Sequence, residues 1–97
     1  KVSLTRLLFT HFDEETRQYC MGLAEELRNA DINCEVYPDI TKKLGKQFDY
    51  ANKKKIPFVC VIGSTEMDSG LFAVKDMVSG QQHQFNISSM IQFLKSN

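Results

Sequence analysis

No segment of this sequence stays apolar for the ~20 residues that a membrane-crossing helix requires. No charged-then-apolar leader precedes a small-residue cleavage site either. These absences lead us to expect a soluble, unexported protein with no membrane partner. Motifs that carry chemistry are missing as well. Neither the phosphate loop G-x-x-x-x-G-K-[ST] nor the dinucleotide fingerprint G-x-G-x-x-G occurs, and Gly63 and Gly70 are too far apart, and follow the wrong strand, to cradle a phosphate. There is no C-x-x-C pair: Cys20, Cys34 and Cys60 are odd in number, widely spaced and without a neighbouring histidine. Each lies in an apolar or periodic segment, so we expect reduced, buried thiols of a cytoplasmic protein, with no role as metal ligand or nucleophile. His11 and His83 lack a matched cysteine or carboxylate and read as surface histidines.

Net charge is absent too. Twelve Lys and Arg balance twelve Asp and Glu, so overall charge argues for no nucleic-acid partner, and any such case must rest on where the charges lie.

What is present is the material of one domain. Ninety-seven residues, 42% of them hydrophobic, suffice for a single core between a sheet and helices. We therefore expect residues 1–97 to form one unit. The chain opens on Lys1 and enters a strand-like run within a few residues, from which we expect a larger parent protein.

Arg6 to Thr10 is a short apolar run that reads as a buried strand. Asp13 offers an N-cap, with Glu14 and Glu15 at the positive end of the helix dipole. Tyr19, Cys20, Leu23, Ala24 and Leu27 then recur at helical spacing, as they would on an amphipathic helix fading near Asn29 to Asp31. Ile32 to Tyr37 alternates like a half-buried edge strand and stops at Pro38. Leu44, Phe48 and Ala51 mark a second helix over Thr41 to Lys54, which Pro57 ends. Phe58 to Ile62 has no polar interruption, the pattern of a central strand covered on both faces. Leu71 to Val74 and His83 to Asn86 read as short strands joined by a turn at Val78-Ser79-Gly80, and Ser88 or Ser89 caps a last helix with Met90, Ile91, Phe93 and Leu94 facing inward. Right-handed crossovers place the first strand between the second and third. The expected architecture is α/β: a three-layer, five-stranded mixed sheet flanked by three helices.

One feature stands out chemically. Lys42, Lys43, Lys46, Lys53, Lys54 and Lys55 set six cations against one acid, Asp49, on a neutral protein. This is either a solvated helix face or a phosphate-contacting patch. Thr41, Gln47, Ser64, Thr65, Glu66 and Lys75 are expected beside it at one end of the sheet, where such groups serve either ordinary turn chemistry or hydrogen bonding to splayed-out bases.

From Lys43 the chain reads K-L-G-K-Q-F-D-Y-A-N-K-K-K-I-P-F-V-C-V-I-G-S-T-E-M-D-S-G-L-F-A-V-K-D-M-V-S-G-Q-Q. This closely resembles the anticodon-binding domain of histidyl-tRNA synthetases. The resemblance rests on a Lys-Gln pair opening a basic helix (Lys46, Gln47), then Ala51, a buried strand into Gly63, then Glu66, Gly70, Val74-Lys75-Asp76 and Gly80. It covers nearly the whole chain. Sister synthetases for threonine, proline and glycine share the fold and the Gly-x-x-Glu-x-x-x-Gly loop, but the Lys-Gln opening and the Val-Lys-Asp strand look histidyl. Threonyl-type relatives often carry Asn where Thr10 and Thr41 stand, and Arg at Lys75.

The resemblance implies a module that docks on the anticodon stem-loop of a histidine-specific transfer RNA. Glu66, Lys75, Thr10 and Thr41 match base-facing positions, Gln47 belongs to the same RNA-binding set, and Lys43, Lys46 and Lys53 would supply phosphate affinity. It also implies a parent enzyme, homodimeric through a class II catalytic domain, that uses ATP and magnesium to attach histidine to its transfer RNA. No catalytic residue, cofactor or metal ligand is expected in these 97 residues, and DNA is not an expected partner. Two other readings stay open beside a sister synthetase: a regulatory descendant of the fold, and a protein-interaction module using the sheet edge or a Met67, Leu71 and Phe72 surface.

Overall fold

The computed structural model describes residues 4–96, so the outermost positions of the expected 1–97 unit, Lys1 among them, lie outside the described residues. In chain order the elements are β1 (Leu7–Thr10), α1 (Glu14–Asn29), β2 (Cys34–Val36), α2 (Leu44–Lys54), β3 (Phe58–Val61), α3 (Ser64–Ser69), β4 (Phe72–Asp76), β5 (Gln82–Phe85) and α4 (Ile87–Ser96). The strands form one sheet in the order β2-β1-β3-β4-β5. β1 pairs in parallel with β2 and β3, and the β3–β4 and β4–β5 pairs are antiparallel. The first strand thus lies between the second and third, as the crossover rule requires.

Local chemistry sets the helix ends. Asp13 caps α1: its Oδ1 accepts from the Thr16 N–H at 2.8 Å while Thr16 Oγ1 accepts from the Asp13 N–H at 3.1 Å, a reciprocal capping box. The cap of α4 is Asn86 rather than either expected serine. Asn86 Oδ1 accepts from the Ser89 N–H at 2.8 Å, and Ser89 Oγ returns the bond to the Asn86 N–H at 3.1 Å. Ser89 is therefore the third-position partner of the cap. Lys55, in the left-handed conformation, closes α2 just before Pro57. Gly80 supplies the positive φ, 78°, that the β4–β5 turn needs.

Four helices are present where three were expected. The additional one, α3, occupies the Ser64–Ser69 segment that read as a loop, and it ends on Gly70 at a φ of 70°. Its only large apolar residue is Met67, so no periodic stripe announces it.

The sheet separates two apolar layers. Leu7, Phe9, Phe58, Cys60, Phe72 and Val74 face α1 and α4, joining Cys20, Leu23, Leu27, Met90 and Leu94 in the larger core. Leu8 and Val59 face the other way and pack with Tyr37, Ala51 and Ile56 under α2. Full burial of such side chains stabilises by about 1.5–3 kcal/mol each. Phe72 is 1% exposed and belongs to the larger core, so the Met67, Leu71 and Phe72 surface considered for protein interaction lacks its largest member. The three cysteines are buried and unpaired with one another.

Candidate nucleic-acid interface

The three parallel strands deliver their carboxyl ends to one edge of the sheet, and the chain leaves that edge into His11, Tyr37 and Gly63. α2 starts there and runs back across β1 and β3. Its seating is fixed by Gln47. The Gln47 Oε1 accepts from the His11 N–H at 3.1 Å, and its Nε2 donates to the His11 carbonyl at 2.7 Å. The side-chain amide thereby behaves like one more residue of strand pairing for β1. Gln47 is fully buried, so the expectation that it touches RNA is corrected: its donors and acceptors are spent on the main chain of His11.

His11 itself is fully buried, not a surface histidine. Its Nε2 lies 2.8 Å from the Tyr37 carbonyl, which fixes Nε2 as the protonated nitrogen, and buried Nδ1 has no partner among the described residues. Thr10 is likewise fully buried, with its hydroxyl donating to the Cys60 carbonyl at 3.2 Å. The position expected to face a base presents no surface to one, because the side chain is turned between two paired strands.

Thr41 is half-buried, and its Oγ1 accepts from the Lys43 N–H at 3.1 Å, shaping the turn that launches α2. Lys43 stands at the N-cap of α2, no side chain caps that end, and no acid lies in the first turn. Lys42, Lys43 and Lys46 therefore crowd the positive end of the helix dipole, where each cation costs about 0.3–1 kcal/mol in helix stability. Such an arrangement is unfavourable by itself and becomes favourable when an anion docks. Lys46 and Lys53 also line, with Tyr37, Asp49 and Tyr50, a recess of about 260 Å³ between α2 and the end of β2.

The basic face is not uniform. Lys54 reaches the β2 strand, with Nζ 3.1 Å from Glu35 Oε1, and Tyr50 donates to the same carboxylate at 2.7 Å. Burial pushes the Glu35 carboxyl up, but hydrogen bonds from Thr5, Tyr50 and Lys54 outweigh it and hold the group below its ordinary value. Lys42, Lys43, Lys46, Lys53 and Lys55 make no ion pair among the described residues.

On the far side of β3, Glu66 lies in the first turn of α3 with its Oε1 accepting from the Gly63 N–H at 2.7 Å. Lys75 stands apart from the strand ends. It pairs with Val59 inside the sheet, and its Nζ sits 5.0 Å from the centre of the Phe48 ring. The expected cluster is thus split: Thr41, Lys43 and Glu66 mark the carboxyl edge of the sheet, while Lys75 rises from its face beside α2. Phe48 as a support for Lys75, and Gln82 and Gln84 on the same face, are not among the expected residues; the alternation of β5 is the signal in the sequence for the glutamines.

The family model for anticodon binding domains matches residues 5–97. The chain belongs to the anticodon-binding domain family. The histidine–tRNA ligase of Cytophaga hutchinsonii is 41% identical over 90 residues, covering 93% of this chain and 20% of that protein. That of Phocaeicola vulgatus is 36% identical over 95 residues, covering 98% and 21%. The chain spans about a fifth of the length of these curated relatives. Among solved structures, a histidyl-tRNA synthetase from Nostoc superposes with a TM-score of 0.89 at 24% identity, covering 97% of this chain and 22% of that one. The RNA binding domain of threonyl-tRNA synthetase from Cryptosporidium parvum superposes at 0.87 with 15% identity, covering 97% and 24%. These two likenesses concern the fold.

The charge layout of this anticodon-binding domain is two-sided. α2 and its unpaired lysines lie on one face of the sheet, whereas Glu14, Glu15, Glu25 and Glu26 of α1 lie on the other. A polyanion is attracted to one side and repelled from the opposite one, which orients its approach even though the net charge is zero.

Proposed function

We propose that this chain is the anticodon-binding part of a histidine–tRNA ligase and holds the anticodon stem-loop of a histidine-accepting transfer RNA. The observation that carries the reading is identity of 36–41% with histidine–tRNA ligases along more than nine-tenths of the chain. In this proposal the unpaired Lys43, Lys46 and Lys53 contact phosphates, which supplies affinity without sequence information. Glu66 at the carboxyl edge and Lys75 on the sheet face offer a carboxylate acceptor and an ammonium donor to base edges, and Thr41 presents its half-buried hydroxyl at the start of α2. Thr10 and Gln47 act from beneath, by fixing the strand ends and α2.

The parent enzyme would attach histidine using ATP and magnesium, work as a homodimer and reside in the cytoplasm. Among the described residues no group of three or more His, Cys, Asp or Glu could hold a metal ion. No described helix is long and apolar enough to cross a membrane.

The direct test is aminoacylation by the full-length enzyme of a histidine transfer RNA and of the same RNA with a substituted anticodon. The proposal expects kcat/KM to fall for the substituted RNA with wild-type protein, and the difference to shrink when both Glu66 and Lys75 are replaced by alanine. Equal kcat/KM for both RNAs with the wild-type enzyme would sink it.

A further inference from the structure

Three rungs of the sheet run from β3 to β5. Val61 pairs with Ala73 and Ala73 with Gln84; Val59 pairs with Lys75 and Lys75 with Gln82; Cys60 pairs with Val74 and Val74 with His83. Opposite residues of an antiparallel pair share a face. Cys60 and Val74 of the third rung belong to the larger core, and the exposed His83 lies on the same side, 5.4 Å from Phe93 between ring centres. The first two rungs therefore point to the α2 side. α2 covers β1 and β3 there, and Phe48 reaches only as far as Lys75. Beyond it Gln82 and Gln84 are exposed, and Ala73 and Val61 are half-buried.

We propose that this uncovered face is a platform for unpaired nucleotides of the RNA loop, with Gln84 and Gln82 reading base edges; this rests on the anticodon-binding reading above. Ala73 puts only a methyl group between Val61 and Gln84, which stand two strand spacings, about 10 Å, apart. That leaves a shallow bay of nucleobase width with an apolar floor. A glutamine amide carries two donors and a two-pair acceptor, the equipment for a base's hydrogen-bonding edge. Lys75 beside the bay, and the unpaired lysines of α2, give the platform the charge that complements a phosphate chain. The reverse side of β5 is anchored, Phe85 packing on Phe93 at 4.9 Å between ring centres, so the two glutamines sit on a fixed strand.

The test follows side-chain amide signals of the 15N-labelled chain during titration with a histidine-type anticodon stem-loop. It is paired with affinities of Gln84→Ala, Gln82→Ala and Ala73→Leu, and of Gln92→Ala on α4 as control. The platform requires shifts of the Gln84 and Gln82 amides. Each alanine change should weaken binding about fivefold, the worth of one net hydrogen bond; Ala73→Leu should weaken it at least as much, and Gln92→Ala not at all. Binding that moves Glu66 and Lys75 but leaves both glutamine amides and all three affinities unchanged would overturn the platform while preserving the anticodon-binding reading. No binding by the unsubstituted chain at low salt would overturn both.

Discussion

The side-chain amide of Gln47 closes a two-bond ring with the main chain of His11, 36 positions away, and through it the first turns of the basic helix are locked to the end of the first strand. Both partners are fully buried. Replacing Gln47 with alanine strands one donor and one acceptor of His11 away from water, at about 1–3 kcal/mol for each unsatisfied group. Gln47→Ala is therefore expected to lower unfolding free energy by about 2–6 kcal/mol and to weaken RNA binding without removing any group that touches RNA. Urea unfolding checks the first part. Unchanged stability would show that the clamp does not hold α2.

A second prediction separates affinity from selectivity. Lys43→Ala and Lys46→Ala should weaken binding of all anticodon stem-loops alike, and each should flatten the dependence of log K on log salt by about 0.7–0.9. Lys54→Ala should do much less, because its ammonium is already held by Glu35 and Tyr50. Glu66→Ala and Lys75→Ala should reduce discrimination among anticodons. Equal effects of all five changes on affinity and salt slope would contradict this division.

How much of this was legible beforehand varies with the kind of residue. β1 and β3 are uninterrupted apolar runs between the polar signals that end strands, and α1 carries both its cap and its stripe, so these elements and their order could be read directly. α3 could not, since Ser64–Ser69 is nearly all polar and its entry depends on a bond between Glu66 and the main chain of Gly63. Gln47 and His11 were misplaced for a common reason: a polar residue on a helix or at a strand end reads as solvated unless its partner is known, and that partner is distant in sequence. Lys75 sits inside a strand whose face is uncovered because α2 lies over β1 and β3 and reaches Lys75 only through Phe48, a fact of packing that spacing does not encode.

Stability should fall in acid. Hydrogen bonds from the Thr16 main chain hold the Asp13 carboxyl below its ordinary value, those from Ser79 and Val78 do the same for Asp76, and Glu35 is depressed by the three side chains around it despite its burial. A depressed carboxylate binds protons more readily in the unfolded chain, so its contribution is present above the unfolded value and is lost as pH falls through the folded one. The urea midpoint should thus hold near neutrality and drop below about pH 4. Glu35→Gln should give a shallower decline. An unchanged acid profile in that variant would contradict the assigned role of Glu35.

The thiols should be inert in the folded chain. Burial pushes Cys20 up to about 12 and raises Cys34 and Cys60 as well, so little thiolate exists at neutral pH. A disulfide reagent such as DTNB should react with no cysteine of the native protein and with three after unfolding in urea. Rapid reaction of any one under native conditions would contradict the buried assignment.

The central claim is that this surface distinguishes one anticodon from another, and main-chain NMR shifts on adding a histidine-type stem-loop, and then one with a scrambled anticodon, test it most directly. The account predicts shifts at Lys43 and Lys46 with both RNAs, and at Thr41, Glu66 and Lys75 with the first alone. Shifts confined to the lysines and identical for the two RNAs would contradict it, leaving only a basic helix that holds any nucleic acid.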